Sequence, residues 1–85
     1  MTTMTATTER KIGNRWHFQI DPKAADVGDL VEYRIPTGRY WSRVAKVPKT
    51  GLRLEAIKYK GTVVRPSKLV RLDEVVSVWR RGHAP

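Results

Sequence analysis

The sequence predicts an all-β domain, a small barrel or sandwich of about five mostly antiparallel strands behind a flexible N-terminal tail. Two observations carry this. Short runs alternate apolar with polar residues, as in Val31, Tyr33 and Ile35. Turn signals separate them at intervals of roughly eight to twelve residues: Pro36-Thr37-Gly38, Pro48-Lys49-Thr50-Gly51 and Lys60-Gly61. No helical period is sustained and no segment repeats. With 85 residues, of which 40% are hydrophobic, the chain has one domain's worth of core.

Residues 1–14 read as a flexible tail, since the Thr-rich start ends in Gly13-Asn14 without periodicity. Met1 to Thr8 has neither a basic n-region nor an apolar h-region, so no signal peptide is expected. The domain is expected over residues 15–80, with a frayed end over 81–85. Trp16, Phe18 and Ile20 suit one side of a first short strand. Asp21-Pro22 begins a turn with room for one helical turn after the proline. Leu30 to Ile35 is a strand, and Arg39 to Val47 follows it across a hairpin. Leu52 to Tyr59 is a third strand, expected to pair with the second. Thr62 to Arg65 is a fourth. Pro66-Ser67-Lys68 suits a 3₁₀ turn, from which Leu69 to Leu72 re-enters the sheet. Val75 to Trp79 fits a final strand by propensity, although Asp73-Glu74 could start a helix.

Charge is the second feature. Seventeen Lys and Arg against eight Asp and Glu leave a net +9. Between Arg39 and Arg71 stand ten basic residues and one acid, Glu55, so this segment holds the whole excess. The flanks balance. A polyanionic partner is the natural expectation for such an imbalance. With no cysteine, disulfides, thiolate metal sites and a cysteine nucleophile are excluded. No apolar run is long enough for a membrane span, and a cytoplasmic location is expected.

Val27-Gly28-Asp29-Leu30-Val31-Glu32-Tyr33 and Gly38-Arg39-Tyr40-Trp41-Ser42-Arg43-Val44 resemble the opening hairpin of SH3-like barrels of the Tudor, chromo and KOW kind. Arg65 to Leu72 resembles the 3₁₀ turn and closing strand of the same barrels. The likeness covers residues 27 to 72 and implies either nucleic-acid binding or recognition of methylated Lys or Arg in an aromatic cage. Tyr40 matches one cage position, but Ile35 and Lys60 fall where other cage aromatics would stand, so a cage is not expected. The plasmid-type dihydrofolate reductase has a barrel of similar size. Thr62-Val63-Val64-Arg65 lacks the glutamine and tyrosine of its pore motif.

Strand period puts Arg39, Trp41 and Arg43 on one face, opposite Tyr40 and Val44. An indole between two guanidiniums offers a stacking surface with charges placed for phosphates. A one-residue shift in facing would bury Trp41 and expose Tyr40 instead. Arg53, Ile57 and Tyr59 are expected to extend this face, with Lys46, Lys49, Lys58 and Lys60 at its rim and Arg65 and Lys68 adjoining. Arg10, Lys11 and Arg15 could reach a groove from the arm.

His17 and His83 lack ligand-spaced neighbours, so no metal is expected. Asp26, Asp29 and Glu32 suit pairing with arginines. Without a nucleophile or phosphate cradle, no catalytic site and no cofactor are expected. The functional expectation is weakly sequence-specific binding of nucleic acid, DNA or RNA. The other class is a protein-interaction module, engaging a peptide, an acidic protein or a second copy.

Overall fold

In the computed structural model, which describes residues 7–85, nine strands and two 3₁₀ turns follow one another. The strands are β1 (Glu9–Ile12), β2 (Arg15–Ile20), β3 (Leu30–Ile35), β4 (Gly38–Lys46), β5 (Leu52–Leu54), β6 (Ile57–Tyr59), β7 (Thr62–Arg65), β8 (Lys68–Val70) and β9 (Val75–Arg81). Seven make one antiparallel sheet in the order β1-β2-β9-β3-β4-β5-β8, and β6 and β7 pair only with each other. The expected all-β class stands, but the barrel of about five strands does not. The sheet is open, because β1 and β8 are its two ends.

Four features differ from the sequence reading. Residues 9–12, expected within a flexible tail, form β1; residues 1–6 of that tail lie outside the described residues. Gly13 and Asn14 have φ of 57° and 66°, the double positive φ of a type I′ turn, so they close a hairpin. At the other end, Gly82 N–H donates to the Trp16 carbonyl and His83 contacts Glu9. These contacts tie residues 82 and 83 to that hairpin where fraying was expected.

The 3₁₀ turn expected at residues 66–68 is instead at Leu72–Glu74, where the Glu74 carboxylate accepts from the Arg71 N–H. Lys68 already belongs to β8. The fourth difference is that the run from Leu52 to Tyr59 breaks at Glu55-Ala56. Ser42 Oγ donates to the Glu55 carbonyl and Ser67 Oγ to the Leu54 carbonyl. These hydroxyls satisfy carbonyls that a continuing strand would have to pair, and the chain turns away from the sheet into β6.

The core lies on one sheet face. Val31, Val44, Leu52, Leu54, Val70 and Val78 are fully buried, with Tyr33 and Ala25 beside them. Register brings these together: Val31 sits opposite Val78, Val44 opposite Leu54, and Leu52 opposite Val70. Irregularities between Glu32 and Tyr33, and between Val44 and Lys46, bend the sheet over this cluster. Gly51 lies where a Cβ would come within 2.1 Å of the Val70 carbonyl oxygen, so only glycine allows β5 to lie against β8. No helix among the described residues is long and apolar enough to cross a membrane.

A single ion pair joins the last strand to the loop before β3. Asp29 is buried, and its carboxylate accepts from Arg80 Nε at 3.0 Å and Nη2 at 2.9 Å. The same carboxylate accepts from the Asp26 N–H, while Arg80 also donates to the Ala24 carbonyl. The hydrogen bond to Asp29 holds the Arg80 guanidinium above its ordinary pKa against the opposing effect of burial. Removing Arg80 strands a buried carboxylate, although half of the arginine side chain faces solvent, which moderates the cost. Arg80→Ala is expected to lower unfolding stability by about 2 kcal/mol in urea titration. A loss under about 0.5 kcal/mol, the scale of an ordinary surface change, would show that the pair does not hold this loop.

Candidate nucleic-acid interface

The sheet face away from the core is built from alternate residues of β2, β3, β4 and β9. Register sets Leu30 between Arg43 and Trp79, and Glu32 between Trp41 and Ser77. Arg39, Trp41 and Arg43 therefore share this outer face, while Tyr40 and Val44 point to the core side. The alternatives left open for Trp41 and Tyr40 resolve in this sense.

Each member of that trio is already engaged. Arg39 Nη1 lies 3.5 Å from Glu32 Oε2. Arg43 Nη1 donates to the Gly28 carbonyl. Trp41 is half-buried, with the Arg10 guanidinium of β1 about 6.0 Å from its ring centre. Arg10 is also 5.9 Å from Trp79, which is almost fully buried on this face. A polar chain runs beneath: Trp79 Nε1–H donates to Ser77 Oγ at 2.7 Å, and Ser77 donates to Glu32 Oε1 at 2.9 Å. The outer face is thus a closed layer of aromatic rings and paired charges. Arg10, expected on a flexible arm, is its cap; Lys11 and Arg15 lie on the same hairpin, exposed.

The next stretch of chain contrasts with this. From Arg43 to Lys68 the basic residues are Arg43, Lys46, Lys49, Arg53, Lys58, Lys60, Arg65 and Lys68, and all are exposed. Among the described residues, none has a carboxylate within 4.0 Å. The ion pairs fall elsewhere, on Arg39, Arg71, Arg80 and His83. Lys46 lies opposite Arg53 at the irregular end of β4, and Lys49 is in the following loop.

Tyr59 does not extend the face of β4 as expected, nor do Lys58, Lys60 and Arg65 stand at or beside the rim of that face. They belong to the separate β6–β7 hairpin, because the strand breaks at Glu55-Ala56. From Lys58 to Arg65 every residue of this ribbon is exposed. Ile57, expected on that face too, is half-buried at its base opposite Arg65.

Arg65 and Lys68 also border a cleft of about 250 Å³ on the core side, walled by Tyr33, Ile35, Tyr40, Pro66 and Ser67. The Arg65 guanidinium sits 3.8 Å from the centre of the Tyr40 ring, and Lys68 Nζ 5.5 Å from that of Tyr33. Both tyrosines thus face cations of their own chain, so an incoming methylated cation would meet like charge.

Sequence reasoning did not find Trp79 as a partner of Trp41, nor the environment of His17. His17 is buried in β2, with Nδ1 against the Arg15 carbonyl and no hydrogen-bond partner at Nε2 among the described residues. Asp21 caps the 3₁₀ turn at Pro22–Ala24 by accepting from the Lys23 N–H, and Asp26 accepts from the adjoining Val27 N–H. No group of three or more potential metal ligands converges among the described residues.

No match emerged. Comparison with protein-family models, curated proteins and solved structures found nothing similar to this chain. The reading of the site therefore rests on its own chemistry.

If Arg10 caps the tryptophan layer, Arg10→Ala opens it to solvent. Acrylamide quenching of tryptophan emission is expected to rise in a Trp16→Phe background, with the far-ultraviolet circular dichroism unchanged. Unchanged quenching would show that the indoles are covered by something else.

Proposed function

We propose that this protein binds nucleic acid, holding phosphates along the exposed basic segment from Arg43 to Lys68. The observation that carries the proposal is the absence of carboxylate partners along that segment, among the described residues, beside their presence at its borders. Eight cations without acids stabilise the folded chain little and repel one another. Their arrangement makes sense as a surface completed by a polyanion, where counterion release drives association. Lysines on loops and ribbon suit phosphate contacts, which position without reading sequence.

Trp41 enters this reading as scaffold rather than as a stacking platform, because it is half-buried with the Arg10 guanidinium about 6.0 Å from its ring centre. Tyr59 is the aromatic of this segment, 65% exposed, with Lys60 Nζ 5.5 Å from its ring centre. The five-strand run β9-β3-β4-β5-β8, with a 3₁₀ turn directly before β9, supports an SH3-like arrangement left open and extended by the β1–β2 hairpin. In this proposal the protein is a binding module rather than an enzyme, working in the cytoplasm where nucleic acid is accessible.

Fluorescence anisotropy with a labelled DNA duplex at several salt concentrations tests it. The logarithm of the binding constant is expected to fall with that of salt with a slope of about −4 or steeper. Neutralising Lys46, Lys49 and Arg53 to alanine should flatten the slope by about 2 to 3, and Arg71→Ala, which removes an ion-paired base, should leave it nearly unchanged. Binding weaker than micromolar at low salt would overturn the proposal. So would nuclease-resistant capture of an acidic protein in its place.

A further inference from the structure

We infer that the β6–β7 ribbon is a groove-inserting element for double-stranded DNA, entering the major groove. This rests on the nucleic-acid reading above and adds to it a substrate class and a docking geometry.

Beyond its base, where Ile57 is half-buried and Arg65 lies over Tyr40, the ribbon has no covering layer among the described residues. A two-stranded hairpin is marginal in water by itself, and apolar residues on one normally face a core. Here Tyr59, Val63 and Val64 are 65%, 51% and 55% exposed, with neither face of the ribbon covered. Its cations Lys58, Lys60 and Arg65 have no carboxylate within 4.0 Å among the described residues. Such a surface combines apolar contact with positive charge, which fits a groove walled by phosphates.

The dimensions select the groove. Paired strands lie about 4.8 Å apart, and a ribbon with side chains on both faces is about 10 Å thick. The major groove of B-form DNA is about 12 Å wide and 8.5 Å deep, whereas the minor groove is about 6 Å wide. The A-form major groove of RNA is deep and too narrow for side chains to read. Strands of this length reach roughly 10 Å, at about 3.3 Å per residue, enough to reach a groove floor at that depth.

The tip is narrow as well. Lys60 and Gly61 have φ of 51° and 78°, so a two-residue turn ends the ribbon without a bulky loop. Lys60 accepts a left-handed conformation that costs a side-chain-bearing residue free energy. That keeps a cation at the point where the ribbon meets its ligand.

Register then distributes the chemistry. Tyr59 lies opposite Thr62, which puts two hydroxyls on one face near the tip. Lys58 lies opposite Val63 on the other face. Hydroxyls can donate to and accept from base edges, and a valine suits a thymine methyl, both exposed in the major groove. Lys58 beside Val63 and Lys60 in the turn bring positive charge to these groups, while Arg65 stays at the base over Tyr40.

The test uses the whole protein with a DNA duplex of about two helical turns, its single strand, and an RNA duplex of the same sequence. The DNA duplex is expected to bind about tenfold or more tightly than either competitor. Bound protein should shield guanine N7 from dimethyl sulfate, and netropsin, a minor-groove ligand, should not displace it. Combined Tyr59→Ala, Thr62→Ala and Val63→Ala, all at exposed positions, should abolish the duplex preference and the N7 protection while salt-dependent binding persists. Equal affinity for single strand, displacement by netropsin or an unaffected tip variant would each overturn the inference while leaving phosphate binding intact. Absence of binding to all three nucleic acids would instead remove the underlying reading. Should the triple variant fail to fold, N7 protection by the unaltered protein decides, with Lys60→Asn as the variant that keeps the turn and removes its charge.

Discussion

The buried carboxylate of Asp29 is the point on which the architecture turns. It holds Arg80 of the last strand through two hydrogen bonds and accepts a third from the Asp26 backbone. The adjoining backbone binds β4 from the same place: Gly28 N–H donates to the Val44 carbonyl, and Val44 N–H to that of Asp29. One short segment thereby joins β9 and β4 on either side of β3. It acts beside the ladders of β3 with β4 and β9 and the contact of Val31 with Val78, which set the same geometry. A charge with its partner removed in such a position is costly, which makes the pair decisive for this conformation.

That use of acids in the flanks has a consequence for the basic segment. Asp29, Glu32, Asp73 and Glu74 each meet an arginine within or just beside the flanks, and Glu9 meets His83. Glu55 alone remains among the cations from Arg43 to Lys68, and it forms no ion pair among the described residues. The uneven charge along the chain becomes an uneven surface: a paired outer face around Trp41 and Trp79, then a ribbon and loops whose charge is unmatched. Ser42 and Ser67 enforce the division by satisfying the carbonyls at the strand break.

Local patterning was a good guide where neighbours in sequence decide the outcome. Period two correctly placed Val31, Tyr33 and Ile35 on one side of β3, and Trp41 opposite Tyr40 on β4. Propensity favoured a strand after Val75, and β9 is one. Distant partners were not legible. The run from Leu52 to Tyr59 looks continuous, and only hydroxyls from residues 13 positions away break it. Arg10 becomes a cap because Gly13-Asn14 folds β1 back, although the same two residues also read as the end of a tail. For the candidate site, the charged residues were identifiable from composition, but their grouping was not. Whether a base stands paired depends on acids brought in by tertiary structure.

The central claim is that the unpaired segment meets nucleic acid and the paired flanks do not. Amide chemical-shift mapping by NMR, titrating the isotope-labelled protein with a short DNA duplex, tests it most directly. The account predicts that the largest perturbations lie between Arg43 and Lys68 and peak at Lys58 to Val63, with β1, β2 and the Leu72–Glu74 turn little changed. Perturbations centred on the β1–β2 hairpin, or none at saturating duplex, would contradict it.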